Sequence, residues 1–280
     1  MAGMNDYSLL DSLQHLLIDM DGVLWRGNEP MQGLESFFSW LHQRRIGFAL
    51  VTNNASRTSL QYVQRLADYG IEVAADQVIT SAQATADYLS ERSKRGTSVY
   101  VIGEDGLRQA LADAGFHLAA AESEPRYVVV GWDRHLTFDK LAQASLHIRA
   151  GATFVATNAD RTWPSERGLL PGAGAILAAV QTATDVEPIV IGKPSPLMLE
   201  LAMRRIGGSP RTTAMIGDRL ETDILGGKNA GLSTILMLSG VATAEELAAS
   251  PVQPDLVFDD ISALIHAWKA RITLPTDARN

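Results

Sequence analysis

Short aliphatic runs alternate along this chain with longer stretches in which apolar residues recur every three or four positions. The runs predict strands at 16–19, 48–52, 99–103, 127–131, 153–157, 189–192, 214–217, 234–238 and 256–258. Between them, 33–45 carries Leu34, Phe37, Phe38 and Leu41 at helical spacing, and similar stripes fall at 60–66 and 197–203. Such stripes are core-facing helix surfaces. Strands and helices in alternation predict an α/β protein with parallel strands. The run at 16–25 is the most informative, because Leu16, Leu17 and Ile18 end abruptly in Asp19, Met20, Asp21 and Gly22. Three consecutive aliphatics suit a strand buried on both faces, and sheets of this kind place ligands just beyond their strands' carboxyl ends.

Asp19 and Asp21 therefore stand where chemistry occurs in such folds. Side chains alternate along extended chain, so both carboxylates point into one crevice only while the strand persists, and Gly22 then allows a turn. Two close carboxylates repel unless a cation or a shared proton intervenes. The pair suggests a bound metal, with one carboxylate as nucleophile and the other as acid or base. An ordinary Asp-Gly turn at a strand end is the alternative reading of these residues. A calcium-binding helix-loop-helix is excluded, since Val23 stands where that loop needs Asp or Asn.

Composition narrows the classes. The 280 residues suffice for one large domain or two smaller lobes, and 46% hydrophobic with 20% charged residues is ordinary globular composition. A net charge of −8 argues against a nucleic-acid partner, which needs a basic surface. An anionic substrate meets that repulsive field too, unless a divalent cation and a lysine dominate locally. The absence of cysteine removes disulfides, zinc-thiolate sites and cysteine nucleophiles. No apolar run approaches the roughly 18 residues of a membrane helix, so no membrane association is expected and the chain reads as soluble and cytoplasmic. A homo-oligomer stays open. None of the six histidines forms a metal-binding pair such as His-Glu-x-x-His.

Other strand ends also finish in polar residues. Thr52, Asn53 and Asn54 offer a hydroxyl and successive amides to phosphate oxygens, though they equally form a helix-capping turn. Gly192-Lys193-Pro194 is not a phosphate-binding P-loop, because Pro194 replaces the required Ser or Thr and Glu187 the first glycine. It leaves a lysine at a strand end, either a neutraliser of an anion or a solvated surface charge. Gly217, Asp218 and Asp223 follow another strand. Asp218 could complete a magnesium site with Asp19, and Asp223 reads either as part of it or as a first-turn carboxylate stabilised by the helix dipole. The plausible crossing points between lobes lie at 79–84 and 187–188, which makes 84–186 an inserted lobe between two halves of one core.

Together these motifs resemble the haloacid dehalogenase-like hydrolases, specifically the type IIA capped phosphatases that include nucleotide, p-nitrophenyl phosphate and phosphoglycolate phosphatases. The resemblance rests on Asp19-Met-Asp-Gly-Val-Leu-Trp, Val51-Thr-Asn-Asn-Ala-Ser, Ala156-Thr-Asn-Ala-Asp, Gly168-Leu-Leu-Pro-Gly-Ala-Gly-Ala, Ile191-Gly-Lys-Pro and Ile216-Gly-Asp-Arg-Leu-Glu-Thr-Asp-Ile, and it spans nearly the whole chain. It implies a Rossmann-like parallel-sheet core at 1–83 and 187–280 with an α/β cap inserted at 84–186. By the same resemblance Asp19 attacks phosphorus and becomes an aspartyl phosphate, while Asp21 protonates the leaving oxygen and then activates water. Mg²⁺ would be held by Asp19, the backbone carbonyl of Asp21 and Asp218, with support from Asp223. Thr52 and the Asn53 amide would bind phosphoryl oxygens, with Asn54 beside them, and Lys193 would balance charge. Phosphoryl transfer depends mainly on positioning and charge stabilisation, which these residue types supply.

In relatives of this type a cap loop reads the leaving group, so Asn158, Asp160 and Trp163 are the specificity candidates. A turn beginning at Thr157-Asn158 is the structural alternative, and the role of Trp25 stays open between lining the entrance and packing against the cap. The expected activity is hydrolysis of a small soluble phosphomonoester such as a nucleotide or sugar phosphate. A phosphotransferase or mutase using the same aspartyl phosphate is the second reading, and a non-catalytic phospho-acceptor domain the third.

Overall fold

The computed structural model describes residues 7–120, 123–165 and 168–273. The chain forms two compact units, one of Met1–Val51, Arg65–Gln77 and Leu199–Asn280, the other of Thr52–Gln64 and Val78–Met198. The range 84–186 falls inside the second.

In the first unit, parallel strands run across the sheet in the order Leu256–Phe258, Ser233–Met237, Thr213–Gly217, His15–Ile18 and Gly47–Thr52. Leu16, Leu17 and Ile18 have no exposed surface. Burying each is worth about 1.5–3 kcal/mol, which explains why an unbroken aliphatic run, rather than an alternating one, occupies the middle of the sheet. Ile18 stands level with Ile216 on one side and Leu50 on the other. The chain leaves His15–Ile18 toward Gly47–Thr52 and only much later fills the opposite side with Thr213–Gly217. The carboxyl end of the first strand is thus the point where strand order reverses, which is where open α/β sheets take their ligands. Helices Leu34–Arg44 and Ile261–Thr273 belong to this unit, with the Trp40 and Trp268 rings 4.6 Å apart between centroids.

The second unit has its own parallel sheet, in the order Ile189–Val190, Thr153–Ala156, Tyr127–Val130, Ser98–Ile102 and His117–Leu118. Its core joins Tyr100, Ile102, Val128, Val130, Phe154 and Ala156 to Ala144 and Ile148 of helix Phe138–Arg149 and to Ile176, Leu177 and Val180 of helix Ala173–Thr184. All nine strands expected from the aliphatic runs are present, shifted by a residue or two at their ends. The runs did not reveal the antiparallel pairs Trp25–Arg26 with Glu29–Pro30 and Thr162–Ser165 with Gly168–Pro171, or the short strands His117–Leu118 and Val78–Thr80. These segments are too short, or too polar, to carry a hydrophobic period.

Candidate active site

The strand His15–Ile18 ends one residue before Asp19, whose amide donates to the Ile216 carbonyl at 2.8 Å. Asp19 is buried, as are Asp218 and Asp223 beyond the end of Thr213–Gly217. One oxygen from each of the three carboxylates lies within 4.8 Å of the others. Three buried carboxylates this close repel strongly in a poorly screened setting. An all-oxygen donor set of this charge fits a hard divalent cation such as Mg²⁺, and binding one removes the repulsion.

Two glycines permit this packing. Gly22 has a φ of +86°, and a β-carbon there would collide with the Asp218 carboxylate. A β-carbon on Gly217 would collide with Asp223. Asp218 is further fixed from the far side, because its Oδ2 accepts from the Val241 amide at 2.8 Å and its carbonyl from the Ala242 amide at 3.0 Å. Residues Leu220–Ile224 form a π-helical turn, with the Ile224 amide reaching back five residues to the Arg219 carbonyl. The widened turn folds the Asp223 side chain back, so that its Oδ2 accepts from the amides of Asp218 and Arg219. Asp223 is therefore more than a helix-dipole carboxylate, the alternative that the sequence left open.

Asp21 differs from Asp19. The strand has ended before it, so alternation along extended chain does not set its direction, and its side chain is exposed. Its Oδ1 accepts from the Trp25 indole Nε1 at 2.7 Å. The expectation that both carboxylates share one crevice by strand alternation does not hold, since Met20 begins a tight loop. Its carbonyl takes the amides of Val23, Leu24 and Trp25.

The remaining candidates belong to the second unit. The Thr52 hydroxyl accepts from the Asn54 amide at 3.2 Å, which directs its own hydrogen elsewhere. Asn54 Oδ1 accepts from the amide and hydroxyl of Ser56, so Asn54 shapes its own loop. Asn53 is the hub. Its Nδ2 donates to the Lys193 carbonyl at 2.8 Å and to Asp160 Oδ1 at 2.9 Å, and two acceptors on one nitrogen fix the orientation of the amide. The Asn53 carbonyl in turn accepts from the Ser81 hydroxyl and from Asn158 Nδ2. Asn158 Oδ1 closes a turn onto the Asp160 amide at 3.1 Å. Lys193 is almost fully buried, unlike a solvated surface lysine. Asn53, Asn158, Asp160 and Lys193 are thus brought together, with Asn158 and Asp160 turned onto the asparagine that follows Thr52. Trp163 lies apart from that network and packs against Trp132, with ring centroids 4.7 Å apart.

The model of the haloacid dehalogenase-like hydrolase family matches residues 16–117, and a second model of haloacid dehalogenase hydrolase-like proteins matches 190–264. The acid sugar phosphatase of Staphylococcus aureus is 42% identical over 249 residues, covering 89% of this chain and 95% of that one. The crystal structure of a 4-nitrophenylphosphatase from Thermotoga maritima superposes with a TM-score of 0.88 at 34% identity, covering 93% of this chain and 99% of that chain. A glycerol phosphate phosphatase from Mycobacterium tuberculosis, crystallised with magnesium, gives 0.83 at 37% identity, with 91% and 78% covered. With buried aspartates at the ends of adjacent core strands and this likeness along most of its length, the chain belongs to the haloacid dehalogenase-like hydrolases, among their capped phosphatases.

Proposed function

We propose that this enzyme hydrolyses a small soluble phosphomonoester with Mg²⁺, through an aspartyl phosphate on Asp19. The observation that carries the reading is the buried Asp19, Asp218 and Asp223 cluster, which asks for a hard cation beside the residue that opens the first motif. The cation would be held by these carboxylates and the Asp21 carbonyl, and it would supply charge neutralisation for the phosphoryl oxygens.

The chain's own residues do the rest. A carboxylate oxygen of Asp19 forms a bond to phosphorus in line with the leaving oxygen, and the phosphorus bond to that oxygen breaks. Asp21 gives its proton to the departing oxygen. It then takes a proton from the water that attacks the aspartyl phosphate, and Asp19 is regenerated with release of inorganic phosphate. The Thr52 hydroxyl and the Asn53 amide donate to phosphoryl oxygens, and the Lys193 ammonium offsets the charge of Asp19 and phosphate. Residues 84–186 would serve as the lid, with Trp163 as the residue that reads the leaving group. No helix among the described residues is long and apolar enough to cross a membrane, and we place the enzyme in the cytoplasm with small metabolites as its partners.

The names of the relatives put sugar phosphates and glycerol phosphate first among substrates. Phosphate release from a panel of phosphorylated metabolites, with Mg²⁺ and after chelation, tests the reading. Expected is turnover that chelator silences and Mg²⁺ restores. Full activity in chelator after dialysis defeats the metal assignment, and phosphorylated acceptor in place of inorganic phosphate would establish the transferase instead.

A further inference from the structure

Asp21 is exposed, and a side chain in water ordinarily samples several rotamers. Here one of its oxygens is tied to a residue with no exposed surface, through the 2.7 Å bond from Trp25 Nε1 to Asp21 Oδ1. The backbone ties the same two residues, because the Gly22 amide donates to the Trp25 carbonyl at 2.8 Å and Asp21 bridges to Trp25. Trp25 is held in turn. The Arg65 guanidinium lies over its ring with Cζ 4.2 Å from the centroid, and Arg65 Nη2 donates to the Gly27 carbonyl across the turn between Trp25–Arg26 and Glu29–Pro30. Arg65 Nε donates to the Tyr69 hydroxyl at 3.2 Å, and that hydroxyl donates to the Asn28 carbonyl at 2.7 Å.

We propose that Trp25 is a positioning residue that aims the Asp21 carboxyl group, with Arg65 clamping the indole from its other face. This rests on the reading of Asp21 as the proton donor to the leaving group. The carbonyl oxygen of a protonated carboxyl is a better acceptor than its hydroxyl oxygen, so an N–H donor on Oδ1 favours Oδ1 as the carbonyl and Oδ2 as the oxygen that carries the proton to the leaving group. Rotation about the Cβ–Cγ bond would exchange the two oxygens, and the Trp25 bond opposes it. An acid held in this way needs no rotamer search before transfer, which is how supporting contacts contribute to rate.

The test uses two esters that share a ring and differ in their leaving group. p-Nitrophenolate departs without a proton, whereas phenolate gains much more from one. The ratio of kcat/KM values reports the step in which the leaving group is expelled, upstream of hydrolysis of the aspartyl phosphate. Trp25→Phe keeps a ring under Arg65 and removes the N–H. It should lower kcat/KM for phenyl phosphate by about tenfold while changing that for p-nitrophenyl phosphate by less than about twofold, a part of the full effect of a general acid. Arg65→Met leaves the N–H in place and loosens the clamp, and it should bias the ratio in the same direction to a smaller extent. Asp21→Asn separates the two claims. If Asp21→Asn shows the leaving-group bias and both Trp25→Phe and Arg65→Met lower the two esters equally, Trp25 is structural and the positioning role is refuted. If Asp21→Asn itself shows no bias, the proton-donor reading of Asp21 falls.

Discussion

The Asp223 carboxylate accepts from the main-chain amides of both Asp218 and Arg219, at 3.2 and 3.0 Å, across the π-helical turn that follows Gly217. One side chain thus completes the acidic cluster and holds the backbone that carries Asp218. These roles separate by substitution. Asp223→Asn keeps an oxygen for the two amides but loses the charge, so it should retain a near-native melting temperature while needing much more Mg²⁺ for half-maximal activity. Asp223→Ala leaves the buried amides unpaired, at a cost of about 1–3 kcal/mol, and should lower the melting temperature as well. Melting curves and Mg²⁺ titrations of both variants decide it. An Asp223→Asn enzyme with the wild-type metal requirement would remove Asp223 from the cation site.

Asp19→Asn preserves volume and replaces the nucleophilic oxygen pair with an amide. Asp19 sits at the end of a strand that has no exposed residue after His15, so the fold should persist. Phosphate release should fall by about 10²-fold or more, the scale for loss of a covalent or acid-base group. A variant that folds, by its circular dichroism, and still turns over at the wild-type rate would exclude Asp19 as the nucleophile.

Much of this was legible in the sequence for a physical reason. A strand buried on both faces must be an aliphatic run, and polar residues at strand ends must be written just after such runs, so Asp19 and Asp218 in one unit, and Thr52 and Lys193 in the other, each appear at a predictable place. What the pattern could not carry was side-chain direction where the backbone leaves regular structure. Asp21 lies two residues past the first strand, and only the wound loop on Met20 determines that it meets Trp25. The π-helical turn at Leu220–Ile224 has no hydrophobic signature, yet it sets the aim of Asp223. Asn158 and Asp160 read as cap residues because of their place in the chain, while their hydrogen bonds go to Asn53, more than a hundred residues earlier.

His15 begins the central strand, and burial holds its imidazole below the ordinary value of 6.5, since desolvation disfavours the charged ring. In the unfolded chain the ring takes up its proton near that ordinary value, and in the folded chain only at lower pH. Between the two the unfolded state binds more protons, so stability falls as pH drops through this window and levels off below the folded pKa. His15→Gln abolishes that contribution. Its melting temperature should decline less than that of the wild type between a pH of about 8 and about 5. Parallel pH profiles of the two proteins would show otherwise.

Asp160 Oδ1 accepts from Asn53 Nδ2 at 2.9 Å, and the Asn53 carbonyl anchors Ser81 and Asn158. The sequence suggested that the 158–163 loop reads the leaving group, in which case Asp160→Ala would harm a bulky natural ester and spare p-nitrophenyl phosphate. The contact with Asn53 argues for a different outcome. Asn53 adjoins Thr52, and loss of a charge-assisted bond to its amide, worth about 1–3 kcal/mol, loosens the loop proposed to hold the phosphoryl oxygens. Every substrate presents the same phosphoryl group, so kcat/KM should fall by a similar factor on a sugar phosphate and on p-nitrophenyl phosphate. Asp160→Asn keeps an acceptor oxygen for Asn53 Nδ2 and should recover a substantial part of the loss on both. A loss confined to the sugar phosphate, with Asp160→Asn no better than Asp160→Ala, would return Asp160 to the leaving group and overturn its role behind Asn53.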